Sequence, residues 1–547
     1  MQKKILILGC CLALSASLFA QKAAKTVLPK APKLVIGIVV DQMRYDYLYR
    51  FYDKYGQGGF KRLMGQGFNC RNHHYDYSPT VTAAGHAAIF TGSVPAIDGI
   101  VGNDWFDQKL GRSVYCVEDT TVTTVGTDSK AGFMSPKNLL VSTNTDQLHL
   151  ASNFHSKTIG IALKDRGAIL PAGHTADAAY WFDSKDGSWI TSTFYMKDLP
   201  QWVKDFNAQK YPHKYMAQGW KTLLPLEQYT ESTADNKAFE SKFTGEQTPT
   251  FPHELAAQAG VNLLEVIKST PWGNTLTKDF ALATINNEKL GKGNATDFLT
   301  LSFSSTDYVG HAFGPNSIEA EDTYLRLDKD LADLLSFLDT YLGKDNVLVF
   351  LSADHGVSDV AGYWQEKRLP AGVYESTKAM DEIKVALKQQ FGEGSFIKAE
   401  DNYQIYLNHA LLKEKKVSID QVYAVIKEVL LARGDVADVV NLHDLGNTSL
   451  PPYQLNFVKN GYNVRRSGDI LYVLNPSWYV GRKTGTTHGV TYRYDTHVPL
   501  LWYGWKIKAG ETSVRTAISD IAPTVADLLN ILEPNGAVGN VITDVVK

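Results

Sequence analysis

Apolar residues in this chain come in short unbroken runs, and several of those runs end in acids. Leu34-Val35-Ile36-Gly37-Ile38-Val39-Val40 runs into Asp41. Ile159-Gly160-Ile161-Ala162-Leu163 runs into Lys164-Asp165-Arg166, and Phe298-Leu299-Thr300-Leu301-Ser302-Phe303 ends shortly before Asp307. Val347-Leu348-Val349-Phe350-Leu351 leads to Asp354-His355. Runs without polar alternation predict strands buried on both faces, the parallel-sheet type. A late run, Val498-Pro499-Leu500-Leu501-Trp502-Tyr503, reads as one more strand, and Pro499 predicts an edge position for it. Between the runs the period changes to that of helices. Ile318, Leu325, Leu331, Leu334, Leu335 and Leu338 form one stripe across 317–341, and 253–267 and 517–531 also read as helical, the latter with Asp520 and Pro523 in its first turns. The alternation predicts an α/β fold, a central and mostly parallel sheet flanked by helices. Residues 183–250, rich in Trp, Tyr, Lys and Gly, and residues 361–480 break the rhythm. They are expected as insertions on the sheet that form a rim above its carboxyl-end edge.

The start of the chain narrows the setting. Lys3 and Lys4 precede an apolar stretch, Ile5 to Leu14, and small residues up to Ala20. This is the layout of a secretory signal, with cleavage expected after Ala20. Residues 21–32 follow as a polar tether, and 33–547 as the main domain with its insertions. A periplasmic or secreted location follows. No later run is long enough to span a membrane, so no membrane partner is expected after signal removal. A net charge of −3 over 547 residues argues against nucleic acid as a specific partner. Beyond the signal the cysteines are Cys70 and Cys116, which read equally well as one disulfide or as two buried thiols.

The candidate chemistry sits at the ends of the apolar runs. Thr82 lies in Ser78-Pro79-Thr80-Val81-Thr82-Ala83-Ala84-Gly85-His86, at the start of an expected helix, where free N–H groups favour an anion. By itself that threonine reads as a helix cap. Asp41, Asp307, His311, Asp354, His355 and His488 change the reading: three carboxylates and three imidazoles in one chain. Asp307 and His311 lie four apart, on one face if helical. A mixed N/O set suits Zn²⁺, with Mn²⁺ or iron as alternatives, and the count suits two ions about 4 Å apart.

The order Asp41, Thr82 with His86, Asp307-x-x-x-His311, Asp354-His355 and His488 resembles the alkaline phosphatase superfamily, from about residue 34 to about residue 530. Gly102-Asn103, the pair Lys164 and Arg166, and Thr487-His488-Gly489 make it most similar to the phosphate-irrepressible periplasmic branch, the PafA type. The resemblance implies two Zn²⁺ sites. Asp307, His311 and His488 match one; Asp41, Asp354 and His355 match the other, with the Thr82 oxygen as a further ligand. It implies Thr82 as the nucleophile that becomes phosphothreonine. Lys164, Arg166 and Asn103 would bind the phosphoryl oxygens of small phosphate monoesters, and His86 would serve packing or orientation. Two alternatives stand beside this reading. One is a phosphodiesterase or nucleotide pyrophosphatase of the same superfamily, with the same ligands and a pocket for the second ester group. The other is an inactive secreted binding protein on the same scaffold.

Overall fold

The computed structural model describes residues 30–255 and 262–547. The expected signal and most of the tether lie outside the described residues. Among them, ten strands form the main sheet. In chain order these are β1 (Leu34–Val40), β2 (Phe68–Cys70), β3 (Thr124–Val125), β4 (Thr158–Ala162), β5 (Ala178–Asp183), β6 (Ser188–Ser192), β7 (Asp297–Phe303), β8 (Val347–Ser352), β9 (Leu500–Gly504) and β10 (Gly510–Thr512). Side by side they run β10-β2-β9-β8-β1-β7-β4-β5-β6-β3.

The five strands β8, β1, β7, β4 and β5 are mutually parallel. Their register brings their carboxyl ends into line: Val40 pairs with Phe303, and Val39 with Ser302 and Ser352. Every residue of β1, β7 and β8 is buried, which explains the unbroken apolar runs. The acids that follow these strands therefore emerge together along one edge, where open α/β sheets place their ligands. Helices cover the faces, among them α1 (Thr82–Thr91), α2 (Asp165–Ala172), α3 (Pro271–Asn287), α4 (Ser305–Phe313), α5 (Ile318–Tyr341) and α6 (Ile521–Leu529). Ser317 caps α5 by accepting the Ala320 N–H.

Three expectations change. The strand at 500–504 is interior: β9 lies antiparallel between β8 and β2. Pro499 precedes the ladder and removes no bond from it, so the edge argument does not apply. The helix expected over 253–267 is a single turn, Leu263–Val266, followed by a 3₁₀ turn. Upstream of it His253 bridges Trp220 in extended form, while 256–261 lie outside the described residues. Residues 188–192 do not belong to an insertion but continue the main sheet as β6. The tryptophans around them are packing residues: Trp189 stacks on Phe280 of α3 at 4.2 Å, and Trp181 and Trp220 are buried. Within 361–480 lies a four-stranded sheet (Ile397–Asp401, Gln404–Leu407, Ile470–Leu474, Val436–Asn441) with its own apolar cluster. Cys70 and Cys116 are both buried and unbridged.

Candidate active site

The aligned strand ends deliver the acids and imidazoles as two clusters. Asp307 and His311 share one face of α4, and the loop carrying His488 closes on them. Asp307 Oδ1 lies 3.1 Å from His311 Nε2 and 3.6 Å from His488 Nε2. In the second cluster His355 Nε2 lies 3.6 Å from Asp41 Oδ1 and 3.5 Å from Asp354 Oδ2. Within each set one ligand atom per residue falls within 4.8 Å of the others. The rings of His355 and His488, one from each cluster, stack face to face at 3.5 Å and 17°.

The backbone decides which ring nitrogen is free. His311 Nδ1 faces the Thr486 carbonyl at 2.8 Å, His355 Nδ1 that of Gly356 at 2.9 Å, and His488 Nδ1 that of Thr80 at 2.7 Å. A carbonyl only accepts, so each Nδ1 carries a proton and Nε2 is the ring nitrogen turned toward the carboxylates. Asp41 Oδ1, Asp354 Oδ2 and His355 Nε2 are buried without a hydrogen-bond partner among the described residues. Three converging atoms of that kind fit a cation. The electrostatics agree. Burial, with Asp307 and Asp354 adding to it, pushes the Asp41 carboxyl well above its usual range. Burial likewise pushes Asp354 up to about 7, with Lys164 opposing and Asp307 adding to the rise. Burial acts the same way on Asp307, but His311 and Lys164 outweigh it and hold that carboxyl well below the usual range. Acids crowded in a dry site are relieved by divalent charge.

Thr82 opens α1 and is buried. Gly85 makes its placement attainable, since a Cβ there would lie 2.2 Å from the Asp354 carbonyl oxygen. Lys164 is no surface lysine: only 2% of its side chain is exposed. Its ammonium donates to Asp41 Oδ2 at 2.7 Å, Asp307 Oδ2 at 2.6 Å and Thr82 Oγ1 at 3.4 Å. Arg166 donates from Nη1 to the Tyr115 hydroxyl at 3.1 Å, and its buried Nε has no partner among the described residues. The Ala83 N–H donates to Asn103 Oδ1 at 3.0 Å, so what Asn103 has left to offer is its Nδ2–H. The structure thus brings all the site residues expected from the sequence to one sheet edge. A groove of about 1220 Å³ lies elsewhere, on the 361–480 layer, between residues such as Tyr374, Val385 and Arg482.

Residues 35–499 match the family model described as type I phosphodiesterase / nucleotide pyrophosphatase. The chain belongs to that family. It is an enzyme of the alkaline phosphatase superfamily. Over 528 residues it is 50% identical to alkaline phosphatase PafA of Elizabethkingia meningoseptica, covering 96% of each chain. Over 542 residues it is 49% identical to a Myroides odoratus protein named calcium-transporting ATPase, covering 98% of each. The crystal structure of wild-type PafA superposes with a TM-score of 0.91 at 49% identity, over 95% of this chain and all of that one.

Three further residues brace this phosphatase-family site: Gln42 and Asp495, and His86, which the sequence pattern already included. Gln42 follows Asp41 with φ of 65°; its backbone N–H donates to Asp354 Oδ1 at 3.1 Å and its Nε2 to Asp307 Oδ1 at 2.6 Å. One residue therefore touches an acid of each cluster. Asp495 Oδ2 accepts the N–H groups of Gly489 and Val490, both at 2.8 Å, and so holds the His488 loop. Burial pushes the Asp495 carboxyl up to about 7. His86 has Nδ1 2.8 Å from the Thr82 carbonyl and Nε2 2.8 Å from Ser302 Oγ, and burial lowers it to about 4. It anchors the Thr82 turn as a neutral ring. His497, near Asp495 in sequence, stacks between His74 and Tyr45 and serves packing.

Proposed function

We propose that this enzyme hydrolyses small phosphate monoesters outside the cytoplasm, taking the phosphoryl group onto Thr82 before passing it to water. The observation that carries this reading is the Lys164 ammonium, a buried cation 3.4 Å from Thr82 Oγ1. A monoester brings two negative charges to that point and a diester brings one. Fixed positive charge beside the reacting phosphorus favours the first.

Asp41, Asp354 and His355 would hold one Zn²⁺, and Asp307, His311 and His488 the other; the N/O donor set suits that metal. Bound there, the ions supply Lewis acidity and lower the pKa of a neighbouring hydroxyl. The chain's own groups do the rest. Thr82 Oγ forms the bond to phosphorus as the bond to the leaving alcohol oxygen breaks. Water then attacks the phosphothreonine, phosphate leaves, and the Thr82 hydroxyl is restored. Arg166, Asn103 Nδ2 and the N-terminus of α1 are donors for the equatorial oxygens. Residues 1–20 serve as the signal and 21–32 as the tether. No helix among the described residues is long and apolar enough to cross a membrane.

A diester reading is favoured by the description of the matching family itself. The two are separated by steady-state hydrolysis of an aryl phosphate monoester and the matching diester by the zinc-loaded protein, with Thr82→Ala as control. Strong monoester preference, lost in the control, is expected. Diester preference would overturn the monoester assignment. Turnover that survives Thr82→Ala would overturn the nucleophile.

A further inference from the structure

The main sheet supplies the acids and the nucleophile, but two loops of the site are also gripped by the 361–480 layer. Its hairpin pairs Asp401 with Gln404, so the tip is two residues, Asn402 and Tyr403. Both are left-handed, with φ of 52° and 61°. Two left-handed residues make the tight turn that matches strand twist. Asparagine accepts that conformation readily, and tyrosine rarely does.

Each tip residue meets a different part of the site. Asn402 Nδ2 donates to the Asp104 carbonyl at 2.6 Å. It also packs on Gly102, where a Cβ would lie 2.2 Å from Nδ2. Gly102 and Asp104 are the two neighbours of Asn103. The Asn103 carbonyl accepts the Cys116 N–H at 2.8 Å and its Oδ1 accepts the Ala83 N–H, so Asn402 completes its fixation. The Tyr403 hydroxyl donates to the His488 carbonyl at 3.3 Å. Its ring lies over Gly489, where a Cβ would come within 2.8 Å of Cε2. Tyr403 is itself braced: its carbonyl accepts the Tyr472 N–H at 3.0 Å, and the Tyr472 ring stands edge-on at 5.8 Å.

We propose that the Asn402–Tyr403 turn is a positioning device. It holds the Asn103 amide and the His488 imidazole in register, so the inserted layer sets phosphate recognition and metal retention together. This rests on the roles given to Asn103 and His488 under the proposed function. Neither turn residue reaches the reacting atoms.

The test uses full-length, zinc-loaded protein with inorganic phosphate as the binding probe. Asn402→Gly keeps a left-handed turn and removes only the amide. It is expected to raise the inhibition constant of phosphate, and lower kcat/KM for an aryl phosphate, on the order of tenfold, with zinc content and melting temperature unchanged. In an Asn103→Ala background the same change should matter by less than about twofold, because it acts through Asn103. Tyr403→Phe keeps the ring and should speed zinc loss to a chelator by roughly 3–10-fold. Wild-type phosphate inhibition in Asn402→Gly, or an equal loss with and without Asn103, would overturn the proposal. Activity that persists in Thr82→Ala would instead remove the reaction on which it rests.

Discussion

Replacing Lys164 by methionine keeps the length of the side chain and removes the charge. In the metal-free protein that charge lies 2.7 Å from Asp41 and 2.6 Å from Asp307, with all three side chains at most 5% exposed. Removing one member of a buried ionic group costs about 3–5 kcal/mol. The lower end is expected, because burial and the neighbouring acids already push the Asp41 carboxyl upward, which eases its protonation once the Lys164 charge is gone. The zinc-loaded protein should behave differently. There the acids face the ions, and losing a competing cation should leave zinc affinity unchanged or raised. Catalysis should still fall, because the charge beside Thr82 is gone. A fixed donor at the reacting group is worth roughly 2.7–4 kcal/mol, so kcat/KM for an aryl monoester should drop about 10²–10³-fold. The matching diester, with one charge fewer, should lose about tenfold or less. The assay is steady-state kinetics on both esters, alongside zinc titration. An equal loss on both would refute the argument, since it would mean that Lys164 acts on the acids or on Thr82 and not on the phosphoryl charge.

Three further outcomes are expected. His253 is held between Glu246 and Glu319. Burial lowers its pKa, but these carboxylates outweigh burial and carry it from 6.5 to about 9. A group raised on folding stabilises fully below its unfolded pKa and loses that contribution as pH rises through the folded one. About 3 kcal/mol should therefore disappear between pH 6.5 and 9, and His253→Gln should flatten this alkaline limb in denaturation measured at several pH values; parallel curves would contradict it. Gln42→Gly keeps the positive φ and removes the amide on Asp307, so zinc affinity should fall about 10–100-fold in a chelator competition. In the wild type, chelation should lower the melting temperature, each ion at about 100 times its Kd contributing about 2.7 kcal/mol.

What the sequence made legible follows from where the signals lie. Asp41, Asp307 and Asp354 stand at the ends of runs buried on both faces, so position along the chain already encodes position in space. Lys164 and Arg166 follow the same rule, but their chemistry was read from family likeness, because two basic residues around Asp165 look like a solvated turn until the burial of Lys164 is known. Gln42 had no signal, since its role arises from a left-handed backbone and from the carboxylates of Asp307 and Asp354, 265 and 312 residues away. The Asn402–Tyr403 tip was equally silent: its partners come from residues 102–104 and 488–489. The misplaced edge strand shows the limit of a local rule, for Pro499 excludes a position within the ladder and not one just before it.

The face-to-face contact of His355 and His488 gives the two clusters a common wall. Each ring answers to its own carboxylates, and at 3.5 Å neither can tilt without displacing the other. On the proposed two-ion reading, a first ion that aligned one ring would prepare the neighbouring centre, so cooperative loading is the expected outcome. Half-filled protein should then be scarce at any zinc concentration, and the enzyme would pass from empty to fully charged in a single step.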